Sequence, residues 1–177
     1  VCFGAEFYDA SDEFPLLYVS EQNINQHKVL VYRVQRSGND FTFTNVQTIT
    51  VPDPNSSSIY YPDAVIDTEN NKLYICGCKR DDWKEPTDNA IRYASFNLPR
   101  LSEGDVTLTM TDIVDSFDTP FYTAPQGSVC KGGKIYQALG LSDGGLIRVV
   151  NPITKSVEKE IPLPYVSYSE EPEALVY

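Results

Sequence analysis

The sequence predicts an all-β fold, and three observations carry that expectation. Tyr is abundant, with 12 copies beside a single Met and a single Trp, and Tyr, Val, Ile and Thr favour pleated, half-buried surfaces. No stretch of about ten residues or more follows the helical period; short apolar or alternating runs, broken by Gly, Pro, Asn and Asp, take its place. Those runs also recur along the chain in one order, with similar turn residues between them. At 41% apolar residues, the chain has enough material for a packed core and is unlike a disordered one.

The repeat is anchored on three strands. Leu17-Tyr18-Val19-Ser20, Lys72-Leu73-Tyr74-Ile75-Cys76 and Lys134-Ile135-Tyr136-Gln137-Ala138 each place Tyr after an aliphatic residue. Glu69-Asn70-Asn71 and Lys131-Gly132-Gly133, ahead of the second and third, suit tight hairpins. Upstream of each lies a further short strand, at residues 4–7, 63–66 and 126–129, with a fourth copy at 173–176. Pro62, Pro125 and Pro172 directly precede the last three. Downstream come third strands at 29–34, 91–96 and 146–150, and fourth strands at 46–51, 106–114 and 157–163. The run Val106-Thr107-Leu108-Thr109-Met110 alternates with period two, as an outer strand with one wet face does.

Four antiparallel strands repeated in this way describe a β-propeller blade. The expected architecture is a propeller segment of about three four-stranded blades, at 1–60, 61–123 and 124–170, with a fourth begun at 171–177. A β-sandwich is the alternative; it needs some seven strands and no internal repeat of this kind. Propellers close with about four to eight blades, so the expectation includes either the remainder of a longer propeller or a second copy that completes the ring.

Composition narrows the partners. The chain has 14 Lys and Arg against 25 Asp and Glu, a formal charge of −11. That argues against nucleic acid and against anionic membrane surfaces, both of which need basic residues. No apolar run approaches the ~18 residues of a membrane span. Cys76 and Cys78 form a C-x-C, tighter than the usual metal or redox spacing. Residues i and i+2 share a strand face, so the pair reads as buried thiols, with a disulfide to Cys2 or Cys130 as the alternative.

In a four-stranded meander, the connection into the first strand and that between the second and third strands lie at one end. The long connections fall there: 20–28, 52–63, 79–89, 115–126, 141–145 and 164–173. Long loops are where binding residues gather. The candidate ligand-binding residues are Asp63, Gln126 and Glu173, which open inner strands, together with Trp83, His27, Tyr61 and Tyr122. Carboxylates with amide and carbonyl oxygens converging on a channel suit a hard cation such as Ca²⁺. Exposed Trp and Tyr among acids and amides suit a carbohydrate or another small polar ligand. His27 has no nearby His or Cys with which to build a zinc site. Gly144-Gly145, like Gly132-Gly133, is expected to be a hairpin turn, because no helix follows to make a phosphate loop.

Tyr61-Pro62-Asp63-Ala64-Val65, the hairpin from Asp67 to Tyr74, Ala124-Pro125-Gln126-Gly127 and Glu171-Pro172-Glu173-Ala174 together carry a resemblance. The chain resembles propellers of the NHL and gluconolactonase/regucalcin type, and more closely secreted propeller proteins of anaerobic gut bacteria. The lactonase resemblance implies a divalent cation held by inner-strand residues, here Glu173 and Asp63, with Gln126 standing where that family has Asn. The secreted relatives imply an extracytoplasmic location. No nucleophile–base arrangement stands out. The expected function is therefore a binding or scaffold propeller with a polar-ligand site at the channel mouth. A divalent-cation-dependent hydrolase of lactonase type and a protein–protein interaction scaffold are the alternatives.

Overall fold

The computed structural model describes residues 1–23, 26–52, 59–79, 89–123, 125–141 and 144–163. Among these the fold is all-β: strands joined by turns, two short 3-10 turns and no α-helix. The first sheet contains β1 (Cys2–Phe3), β2 (Leu17–Asn23), β3 (Gln26–Ser37), β4 (Asp40–Thr50) and the distant β8 (Val106–Thr107), in that order. The second is β5 (Tyr60–Asp67), β6 (Lys72–Cys78), β7 (Ala90–Asn97) and β9 (Asp115–Pro120). The third is β10 (Pro125–Lys131), β11 (Lys134–Leu141), β12 (Gly144–Asn151) and β13 (Ser156–Leu163). All pairings are antiparallel except that of β8 with β4, and no sheet closes on itself.

Local chemistry explains the tight turns. Gly132 and Gly133 both take positive φ, 57° and 67°, as a two-residue hairpin between β10 and β11 demands. Between β5 and β6 the buried Asp67 carboxylate accepts the Glu69 and Asn70 amides, each at 3.1 Å, and holds a longer turn that ends on Asn71 at φ 52°.

Two cores hold the sheets face to face. Tyr18, Val29, Val31 and Ile49 of the first sheet pack on Ala64, Ile66, Leu73, Ile75, Ala94 and Phe96 of the second. The opposite side of the second sheet, with Val65, Tyr74, Cys76, Cys78, Ile91 and Tyr93, packs on Ile135 and Val150 of the third. The second sheet is thus covered on both faces, and every residue of β6 from Leu73 to Cys78 is buried. That is the physical reason its sequence lacks polar alternation.

One contact recurs from sheet to sheet. Ser20, two residues after Tyr18, accepts the Ala64 amide through its hydroxyl at 3.0 Å. Cys76, two residues after Tyr74, places its Sγ 4.0 Å from the Ser128 hydroxyl. Ala64 and Ser128 hold the same register, opposite Ile75 and Gln137.

Several expected boundaries change. Residues 4–7 are not strand. The chain crosses the Tyr18 ring at Gly4, where a Cβ would lie 2.5 Å from Cε2, and then turns at Asp9–Asp12. The alternating run from Val106 is extended only over Val106–Thr107, because Asp112 caps a 3-10 turn through the Thr109 amide at 2.7 Å. The outer strand of the second sheet is instead β9, a segment expected to be a connection. Nor is 20–28 a long connection: β2 and β3 pair as far as Asn23 and Gln26, which puts His27 inside a strand. Gly144 and Gly145 likewise belong to β12 rather than to a turn, paired with Leu141 and Gly140.

Candidate functional site

Strand direction collects the described candidates at one end of the sheets. Tyr60 opens β5 opposite Cys78, Pro125 opens β10 opposite Leu139, and Gln26 opens β3 opposite Asn23. His27, Tyr61, Asp63, Tyr122 and Gln126 all lie at or beside those ends. Their environments differ. His27 is buried in β3, where its carbonyl accepts the Val51 amide at 2.9 Å. Tyr122 is exposed. Gln126 is the bulged residue between Pro125 and Gly127, and its Nε2 donates to the Gly140 carbonyl at 3.0 Å. Trp83 and Glu173 lie outside the described residues, so the Glu173 half of the expected cation pair does too. Among the described residues no three His, Cys, Asp or Glu side chains converge to hold a metal.

Asp63 stands apart from the others. It faces Cys76 across the β5–β6 pair, beside a bulge that spans residues 61 and 62. Counting from the hairpins, its counterpart in the third sheet is Gly127, opposite Ala138, rather than Gln126. At that position the third sheet has no side chain, so β10 approaches without steric opposition. The Asp63 Oδ2 is buried with no hydrogen-bond partner among the described residues. Burial lifts the carboxyl to about 6, while the Ser128 hydroxyl and backbone and the Ala64 amide act in the opposite sense by favouring the ionised form.

From Asp63 a polar chain runs outward between the second and third sheets. Ser128 accepts Gln137 Nε2 at 3.3 Å, and the Gln137 Oε1 accepts the Tyr93 hydroxyl at 2.7 Å. Arg148, only 2% exposed, donates through Nη1 to the Pro120 carbonyl at 2.6 Å and to the Thr119 hydroxyl at 3.4 Å. Its other face pairs with Glu160 on β13 at 2.7 Å. Tyr93 also stacks on Phe117 at 4.9 Å, and burial raises its phenol. Cys76 and Cys78 face this seam; burial pushes Cys76 up and Cys78 to about 12. All four cysteines are free thiols, as the C-x-C reading of Cys76 and Cys78 expected.

Sequence reasoning missed Ser128, Gln137, Tyr93 and Arg148 as a group. A signal was present: Gln137 and Arg148 are lone long polar residues inside otherwise apolar strands, a position that requires hydrogen-bond partners when buried. The arrangement holds one carboxylate in a low-dielectric niche, beside a hydrogen-bonded network of Ser128, Gln137 and Tyr93. No described helix is long and apolar enough to cross a membrane. Compared with known proteins, the sequence matches no family model, and no curated protein is significantly similar to it.

Proposed function

We propose that the chain is a segment of about three β-propeller blades that binds a polar ligand, a glycan or a small molecule, where its inner strands begin. The observation that carries the ligand reading is the buried Oδ2 of Asp63, which has no partner among the described residues. A carboxylate oxygen without a donor in such a place is costly unless something supplies one. A ligand hydroxyl, amine or cation would do so. The blade reading is supported by the recurring step between sheets. The repeat Tyr of the first and second sheets enters the core shared with the following sheet, and the residue two positions on meets that sheet's inner strand. Tyr136 holds the same register position in the third sheet, opposite Val129. A further sheet of this kind, from the same chain or a second copy, would cover that face.

The test is a thermal-shift screen with Ca²⁺, neutral sugars and small polyols, run on the chain and on its Asp63→Ala variant. Stabilisation by a sugar or polyol that disappears in the variant is expected. Stabilisation by Ca²⁺ alone would transfer the site to a cation and favour the lactonase-like reading. No response at all would leave the interaction scaffold in its place. The extracytoplasmic location rests on the resemblance to secreted propellers and is tested by fractionating cells that express the full-length protein.

A further inference from the structure

The segment between β7 and β9 is far longer than a hairpin requires, and long ordered excursions of this kind are commonly functional. It leaves the second sheet after Asn97, forms a 3-10 turn at Leu101–Glu103, lends β8 to the first sheet, forms another 3-10 turn at Met110–Asp112 and returns. Its path is tied down at many points. The buried Gln47 donates Nε2 to the Arg100 and Gly104 carbonyls at 2.9 and 2.7 Å, and Thr48 donates its amide to Asp105 at 2.7 Å. The Leu108 amide reaches the Thr50 carbonyl, and that of Val114 the Ser95 carbonyl, both at 2.8 Å.

Between this excursion and the Asn70–Asn71 turn lies a cleft of about 900 Å³, at the end of the sheets opposite Asp63. That is the size range of small-molecule sites. Leu98, Leu108 and Ile113, which fringe the first core, line it together with polar groups from Asn71, Asn97 and Arg100. The lining carboxylates are already engaged: Glu103 accepts the Arg100 amide at 2.8 Å, and Asp112 accepts the Thr109 amide and hydroxyl, each at 2.7 Å. Asn97 Oδ1 accepts Lys72 Nζ at 2.7 Å, which leaves the Asn97 amide nitrogen for another partner. The Arg100 guanidinium makes no ion pair, and the Asn71 carboxamide no side-chain hydrogen bond, among the described residues.

We infer that this cleft is a second binding site, separate from the Asp63 seam, and that it takes a short neutral oligosaccharide. Sugar hydroxyls donate and accept together, which matches a carboxamide, an amide nitrogen and a guanidinium set around an apolar floor for the C–H face of a ring. An anionic ligand is disfavoured, because Glu103 and Asp112 border the cleft and the chain carries a net charge of −11. The walls are fixed by backbone hydrogen bonds before a ligand arrives, so little ordering cost opposes binding.

The experiment is an array of neutral, acidic and sulfated oligosaccharides, followed by calorimetric titration of any glycan retained. The chain is compared with Arg100→Ala, Arg100→Lys and Asp63→Asn. The expected result is retention of a neutral glycan, with affinity lowered at least tenfold in Arg100→Ala and partly restored in Arg100→Lys, the same Arg100 effect persisting in the Asp63→Asn background. Circular dichroism and melting of Arg100→Ala should match the parent, because its side chain is not part of a core. Retention of only acidic or sulfated glycans, or of none, overturns the inference. So does binding that Asp63→Asn abolishes and Arg100→Ala leaves intact, an outcome that would instead support the site at the inner strands.

Discussion

Asp63 is the residue at which physical chemistry and the repeat disagree most. A carboxyl raised from 3.8 to about 6 binds protons more tightly folded than unfolded, so its charge opposes folding. The penalty is absent below pH 3.8, grows between 3.8 and about 6, and is fully present above that. Asp63→Asn should therefore raise stability at pH 7 by about 3 kcal/mol and leave it unchanged near pH 3.5, read as urea midpoints across pH. An equal effect at both pH values would mean that burial does not raise the carboxyl in the folded chain. Tyr93 answers to a different rule. Removing its hydroxyl strands the Gln137 Oε1 in a dry interface, so Tyr93→Phe should cost about 1–3 kcal/mol despite keeping the ring on Phe117. A cost below about 0.5 kcal/mol, within the range of surface substitutions, would show that the network is dispensable.

At the scale of elements, the excursion that carries β8 is the least hairpin-like part of the chain, and Gln47 is its anchor. Gln47→Ala leaves the Arg100 and Gly104 carbonyls without their shared donor. The expected cost is about 2 kcal/mol, with loss of amide-exchange protection concentrated at Leu108 and Val106 rather than spread over the sheets. This element also marks where sequence reading stopped. The β5–β6 and β10–β11 hairpins were legible because their turn residues act on their immediate neighbours. The pairing of Ile49 with Val106 joins residues with three strands and several turns between them, and no local pattern announces it. Val106-Thr107 carries the alternation of an outer strand because it is one; the sheet it joins is simply not the expected one. The Asp63 seam was half legible for the same reason. The acid and its place at a strand start could be seen, but the Ser128 hydroxyl beside it and the Gln137 amide and Tyr93 hydroxyl linked to that come from three other strands.

At the scale of the whole molecule, the second sheet is covered on both faces while the first and third are each shown against one neighbour. Amide exchange should accordingly be slowest in β6, where burial is continuous from Leu73 to Cys78. Slower exchange in β3 or β12 than in β6 would contradict a stack with the second sheet at its centre. The placement of the thiols has a use beyond packing. Cys2 fringes the core shared by the first two sheets, whereas Cys76 and Cys78 sit inside the core shared by the last two. An alkylating reagent attacks thiolates, and burial suppresses both access and ionisation at Cys76 and Cys78. Their modification rate therefore measures how often the second interface opens, and that of Cys2 how often the first does. The molecule carries its own pair of clocks, one for each joint between sheets, and ligand binding beside Asp63 should slow the one at Cys76, whose thiol lies against the Asp63 carbonyl.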